Sequence, residues 1–170
     1  MDRITRAAAC SLAVLALAAC SKKPPESLPP PPITASQTST PAPSATGIMP
    51  GSQADFVATM SGRDTIYFGT DEYNVDSEDA AALRTQAEWL VRYPQKQAVV
   101  EGHADERGTR DYNLALGERR ANSARNYLVS LGVADSRLRV VSYGEERPAN
   151  SGADAAAWAK NRRAVTVTID

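Results

Sequence analysis

The chain has 170 residues, 42% hydrophobic and 23% charged, a globular balance with room for one ordinary domain plus extensions. A formal charge of −1 supplies no excess of Lys and Arg to neutralise a polyphosphate, so no nucleic-acid partner is expected. A charged ligand has to be recognised locally, by a few side chains.

Residues 1–6 carry Arg3 and Arg6, and residues 7–19 are uncharged and almost wholly apolar. A basic start followed by an apolar run too short to span a bilayer comfortably predicts a signal peptide over 1–19. The run ends Leu17-Ala18-Ala19-Cys20, which resembles the lipobox of bacterial lipoproteins, where the Cys becomes the acylated first residue. Ser21 follows in place of Asp, which in that pattern implies sorting to the outer membrane. The other reading of the two cysteines is a disulfide, but Cys10 lies inside the removable segment and would leave with it.

From residue 21 to residue 50 the chain holds nine of its eleven prolines among Ser, Thr and Ala. Such a stretch cannot bury enough apolar surface to offset its ordering entropy, so a linker is predicted over 20–61. Forty such residues reach roughly 120 Å as polyproline II and roughly 35 Å as a flexible coil. A folded domain is then expected over 62–170. Residues 64–68 (DTIYF) read as a strand. Asp76 or Ser77 can cap a helix with the stripe Ala80, Leu83, Ala87 and Leu90, ending at Tyr93 before Pro94. Residues 97–101 form a second strand running into Gly102. A long helix starts near Thr109 with the stripe Leu114, Gly117, Ala121, Ala124, Leu128 and Leu131, stopped by Gly132. Residues 138–143 are a strand, 154–160 a short Ala-rich helix, and 164–169 a strand alternating Val or Ile with Thr. The order β-α-β-α-β-(α)-β predicts an α/β fold: an open two-layer sandwich with two helices on one sheet face.

The segment GHADERG, residues 102–108, leaves a strand and feeds the N-terminus of the long helix, a place where open α/β sheets receive ligands. On a helical wheel Asn113 and Arg120 lie within about 20° of one direction, beside the apolar stripe, whereas Arg119 points away. Arg120 is therefore expected to be enclosed and to need a partner. Two readings fit it. Arg120 pairs internally with Asp105 or Glu101, or Asp105 and Arg120 face a common cavity and grip a zwitterion, Asp taking an ammonium and Arg forking onto a carboxylate. A catalytic reading would use the chain's only histidine, His103, as general base beside Asp105 or Glu106, or would bind a metal on those three. No Ser or Cys nucleophile stands in a recognisable setting, so neither enzyme activity nor a cofactor is expected. His103 reads as a hydrogen-bonded structural residue at a strand end.

The stretch from 100 to 128, VEGHADERGTRDYNLALGERRANSARNYL, resembles the OmpA-like peptidoglycan-binding domain, whose pattern is roughly N-x-x-L-S-x-x-R-A-x-x-V-x-x-x-L after a GH-[TA]-D loop. IYFGTDEYNV (66–75), VVSYGEERP (140–148) and AWAKNRRAV (157–165) resemble the lipoprotein branch of that family in Gram-negative envelopes. The resemblance implies non-covalent binding of the diaminopimelate residue of the peptidoglycan stem peptide, without cleavage. Carried over by motif, it implies a site built from Asp105, Arg120, Asn113 and Arg162, with Gly69, Thr70 and Asp71 contributing backbone contacts, and acyl chains, including palmitate, on Cys20. It also implies a place at the outer membrane facing the periplasm, a role in envelope integrity and cell division, and binding to TolB of the Tol complex at an overlapping surface. Gly117 departs from the pattern's Ser, Ala124 from its Val, and Asn74 from a common Asp.

Overall fold

A computed structural model describes residues 47–169. The expected signal peptide, Cys20 and the Pro-rich stretch as far as residue 46 lie outside the described residues. Each α-helix begins where a short polar side chain can accept from the backbone two or three residues into the helix. Ser52 caps α1 (Gln53–Met60), Asp76 caps α2 (Ser77–Arg92), Thr109 caps α3 (Arg110–Ser130) and Asp154 caps α4 (Ala155–Asn161). The cap on α2 runs from Asp79 N to Asp76 Oδ1 at 2.8 Å. Asp76→Ala is therefore expected to cost about 1 kcal/mol, read as a lower urea midpoint for the full chain at unchanged slope. An unaltered midpoint would mean that the carboxylate does not hold this helix end. At its far end α3 closes in a Schellman turn, Val133 N to Leu128 O at 3.2 Å and Gly132 N to Val129 O at 2.9 Å, with Gly132 at φ 97° where a side chain is disfavoured.

The strands β1 (Thr65–Tyr67), β2 (Gln97–His103), β3 (Leu138–Gly144) and β4 (Arg163–Ile169) form one sheet in the order β1-β4-β2-β3. β2 and β3 run parallel, joined through α3, while β4 lies antiparallel to both β1 and β2. Leu83, Ala87 and Leu90 of α2 and Ala121, Ala124 and Leu128 of α3 close over Ile66, Ala98, Val100, Leu138 and Ala164 of the sheet. This is the predicted two-layer α/β arrangement.

The expected linker boundary at residue 61 is corrected by α1. Phe56 and Met60, four residues apart on one face, are fully buried, and Phe56 meets Trp89 edge-on with ring centroids 5.0 Å apart. Asp55 accepts from Trp89 Nε1 at 3.0 Å. An eight-residue helix with two apolar anchors is too short to show a period beside a Pro-rich stretch. In α3 the predicted stripe is buried at Gly117, Ala121, Ala124 and Leu128, while its two ends, Leu114 and Leu131, are only half-buried and the buried face extends instead to Asn113, Leu116 and Arg120. In β4 the helix-facing side is Ala164, Thr166 and Thr168, while the valines are half-buried on the open side. The threonines are satisfied there: Thr166 Oγ1 donates to Gln86 Oε1 at 2.7 Å, and Gln53 Oε1 takes both the backbone N–H and the hydroxyl of Thr168.

Candidate functional site

The site forms where α3 is pressed onto the end of β2. A Cβ built on Gly102 would stand 1.8 Å from the carbonyl oxygen of Gly117, so only hydrogen atoms fit between strand and helix there. Beyond that contact, the loop from Ala104 to Thr109 turns into α3. The loop after β1 crosses opposite, carrying Asp71 at φ 57°, and Arg162 enters from the end of α4. Between them lies a cleft of 330 Å³ walled by Thr70, Asp71, Asp105, Arg107, Asn113, Arg120 and Arg162 among others.

The structure thus brings Asp105, Arg120, Asn113, Arg162, Thr70 and Asp71 to one cleft. Gly69 stands just behind it and offers its carbonyl to Arg120. Asn113 is buried and donates from Nδ2 to Arg107 O at 3.1 Å and to Glu145, tying the loop to the end of β3. Asp71 accepts from the Tyr112 hydroxyl at 3.0 Å. Arg162 donates from Nε to Phe68 O at 2.9 Å and from Nη1 to Asp105 Oδ2 at 3.3 Å.

Arg120 corrects the internal-pair reading. It is fully buried, and it makes no ion pair with Asp105 or Glu101 among the described residues. Its Nε donates to Glu72 O at 2.9 Å, Nη1 to His103 O at 2.8 Å and Nη2 to Gly69 O at 3.0 Å, while its guanidinium carbon lies 5.3 Å from the Phe68 ring centroid. Of its five N–H groups, two have no partner among the described residues. Burial, and then the nearby Arg162, push it down to about 10, so it stays charged at neutral pH.

Asp105 is 6% exposed. Arg107 forks onto it, Nε to Oδ1 at 3.0 Å and Nη2 to Oδ2 at 2.8 Å, and the Arg107 backbone N–H adds a bond to Oδ1 at 3.2 Å. Burial pushes its carboxyl up, but the hydrogen bonds from Arg107 and Arg162 together outweigh that and hold it below the usual range. Arg107 also lies 4.4 Å over the Trp158 ring, and the Trp158 indole donates to Glu106 at 3.2 Å. Neither Arg107 nor Tyr112 was expected at the site. The signal for Arg107 was the Asp-x-Arg spacing, in which an Asx turn brings a residue two positions on back over the carboxylate.

His103 is buried at 2%, but neither ring nitrogen has a hydrogen-bond partner among the described residues, which corrects the expected hydrogen-bonded role. Its nearest carboxylate oxygen, on Glu101, is 3.8 Å away, and the ring lies against Tyr143 with centroids 5.5 Å apart. Burial, followed by the charges of Arg163 and Arg147, pushes it down to about 4, so it is neutral near pH 7. It lies outside the cleft wall, and only its carbonyl serves the site, through Arg120.

A model of the OmpA family matches residues 67–162. The chain belongs to the OmpA family. The match runs from the last residue of β1 to Arg162, and so takes in every side chain described around the cleft. The peptidoglycan-associated lipoprotein of Rhizobium meliloti (strain 1021) is 52% identical to this OmpA-family chain over 118 residues, 69% of the chain and 66% of that protein. The protein of the same name from Mesorhizobium japonicum is 54% identical over 117 residues, 69% of the chain and 68% of that protein. The chain thus spans about two-thirds of the length of these relatives. The crystal structure of the peptidoglycan-associated lipoprotein from Burkholderia pseudomallei superposes with a TM-score of 0.60 at 44% identity, covering 62% of this chain and 89% of that one. The C-terminal domain of Helicobacter pylori MotB shares the OmpA-family fold at a TM-score of 0.57 and 17% identity, covering 62% of this chain and 84% of that one.

Proposed function

We propose that this OmpA-family chain is a non-enzymatic lipoprotein that binds peptidoglycan through the zwitterionic end of diaminopimelate and so tethers the outer membrane to the cell wall. The observation that carries the reading is that a buried guanidinium and a buried carboxylate wall one cleft without bonding to each other. A ligand bearing an ammonium and a carboxylate on one carbon offers Asp105 an acceptor role and the two uncommitted N–H groups of Arg120 a donor role. Homology to peptidoglycan-associated lipoproteins supports peptidoglycan as the polymer that carries this ligand. In this reading residues 1–19 are removed, Cys20 carries acyl chains, the Pro-rich segment reaches from the membrane, and the domain that begins with α1 faces the periplasm. Binding to TolB and the Tol complex belongs to the same proposal and rests on the family resemblance. Competition between TolB and the wall for one surface would make the tether releasable, as a role in cell division requires.

The test is sedimentation of the full-length chain with purified cell walls. Free meso-diaminopimelate should release it, and Nα-acetyl-lysine amide, which keeps the side-chain ammonium but carries no carboxylate, should compete about tenfold less well or worse. Equal competition by the two would discard Arg120 as the carboxylate clamp. Release of soluble muropeptides from the walls would replace the tether with a hydrolase.

A further inference from the structure

Asp105 has no acceptor position left for a ligand. A carboxylate offers about four lone-pair positions. Oδ1 takes the backbone N–H and Nε of Arg107, and Oδ2 takes Nη2 of Arg107 and Nη1 of Arg162. An ammonium group reaching Asp105 must therefore expel one of the two guanidinium groups.

The two arginines are not equally held. Arg162 is 15% exposed and pinned by Nε to Phe68 O at 2.9 Å. Arg107 is 41% exposed, and beyond Asp105 its guanidinium has, among the described residues, only a 3.4 Å contact to Thr70 Oγ1 and the face of Trp158. Its stem rises from a loop that ends at Gly108, at φ 108°, which leaves the side chain room to turn outward.

We infer that Arg107 is an internal stand-in for the ligand's cation, closing the empty site by occupying Asp105 and being displaced when the ligand's ammonium arrives. This rests on the zwitterion reading above. The stand-in sets specificity as well as occupancy. A neutral or purely anionic group cannot take its place on Asp105 without leaving a buried carboxylate underpaired, so only a cation-bearing ligand opens the cleft. Closure lowers apparent affinity by the fraction of molecules in which Arg107 is seated.

Trp158 supplies a reporter. The chain has two tryptophans, and the other, Trp89, lies in the core at 2% exposure. Titrating the full-length chain with meso-diaminopimelate should change Trp158 emission as Arg107 leaves its face, and Arg107→Ala should bind without that change, about threefold to tenfold more tightly by calorimetry. Arg107→Lys, a weaker plug without the fork, should fall between. Binding heat from the wild-type chain with no change in emission would overturn the displacement, as would an Arg107→Ala chain that binds equally or less tightly. Asp105→Asn separates the two levels. If it binds as the wild type does, the zwitterion reading falls and the stand-in with it. If it loses binding while Arg107→Ala gains none, only the stand-in falls.

Discussion

Arg120→Ala is expected to cost the folded state about 3–5 kcal/mol, the largest loss for any side chain at the cleft. The substitution does more than remove a charge. It leaves the carbonyls of Gly69, Glu72 and His103 without their donors, the last of them at a buried position, and it opens a void against Phe68. Two of those carbonyls lie on the loop after β1 and the third ends β2, so both walls of the cleft should loosen together. Arg120→Lys would restore the charge but not the fork, since one ammonium cannot reach three carbonyls spread around a plane, and it should recover less than half of the loss. Equilibrium urea unfolding of the full chain gives the answer. A loss below about 1 kcal/mol would show that the three carbonyls find other donors. Ligand contact is read instead on the unaltered chain, from the comparison of diaminopimelate with Nα-acetyl-lysine amide.

Gly102→Ala should be comparably severe for a steric reason. Its Cβ would stand 1.8 Å from the carbonyl oxygen and 2.5 Å from the carbonyl carbon of Gly117, and backbone atoms of a 21-residue helix cannot step aside singly. Either α3 lifts from β2 or the strand bows away, and about 3 kcal/mol or more is expected. Because Asp105 follows β2 and Arg120 rides on α3, the same displacement pulls the two charged walls apart, so affinity for meso-diaminopimelate should fall with stability. Gly117→Ala meets a softer neighbour first, Ser142 Oγ at 2.4 Å, before Gly102 O at 2.9 Å. It should cost less if Ser142 turns, although that hydroxyl donates to Leu114 O at 2.7 Å. Gly47→Ala, with nothing within 4 Å, is the control. A Gly102→Ala chain that melts with the control would mean that the contact between strand and helix is not as close as described.

Features with a local cause were legible in the amino-acid order. Asp76, Thr109 and Asp154 cap the helices they precede because a short acceptor ahead of an apolar period admits few other uses. The helical wheel separated Arg120 from Arg119, and the structure buries the first and exposes the second. What was not legible depends on backbone atoms or on distant partners. The acceptors around Arg120 are carbonyls, which every residue has, so no side chain advertised them. Gln53 and Gln86, which make Thr168 and Thr166 suitable for the interior, lie 115 and 80 residues from their partners. Arg107 was overlooked although it sits inside the stretch that first suggested a site. A solvent-facing charge on a loop usually means nothing, and only the count of acceptor positions on Asp105 gives it a role.

The strand order carries a consequence for timing. β1 lies at the sheet's edge with β4 as its neighbour, and the register that joins them pairs Thr65 with Val165, a hundred positions along the chain. Loop closure on that scale is slow compared with forming a helix or the parallel β2-α3-β3 unit. The Gly69 and Glu72 carbonyls that seat Arg120 follow directly from β1, and Arg162 immediately precedes β4. A truncated chain that stops short of residue 163 is therefore expected to form α3 and still lack a complete cleft, because both walls beside Arg120 depend on the pairing of β1 with β4.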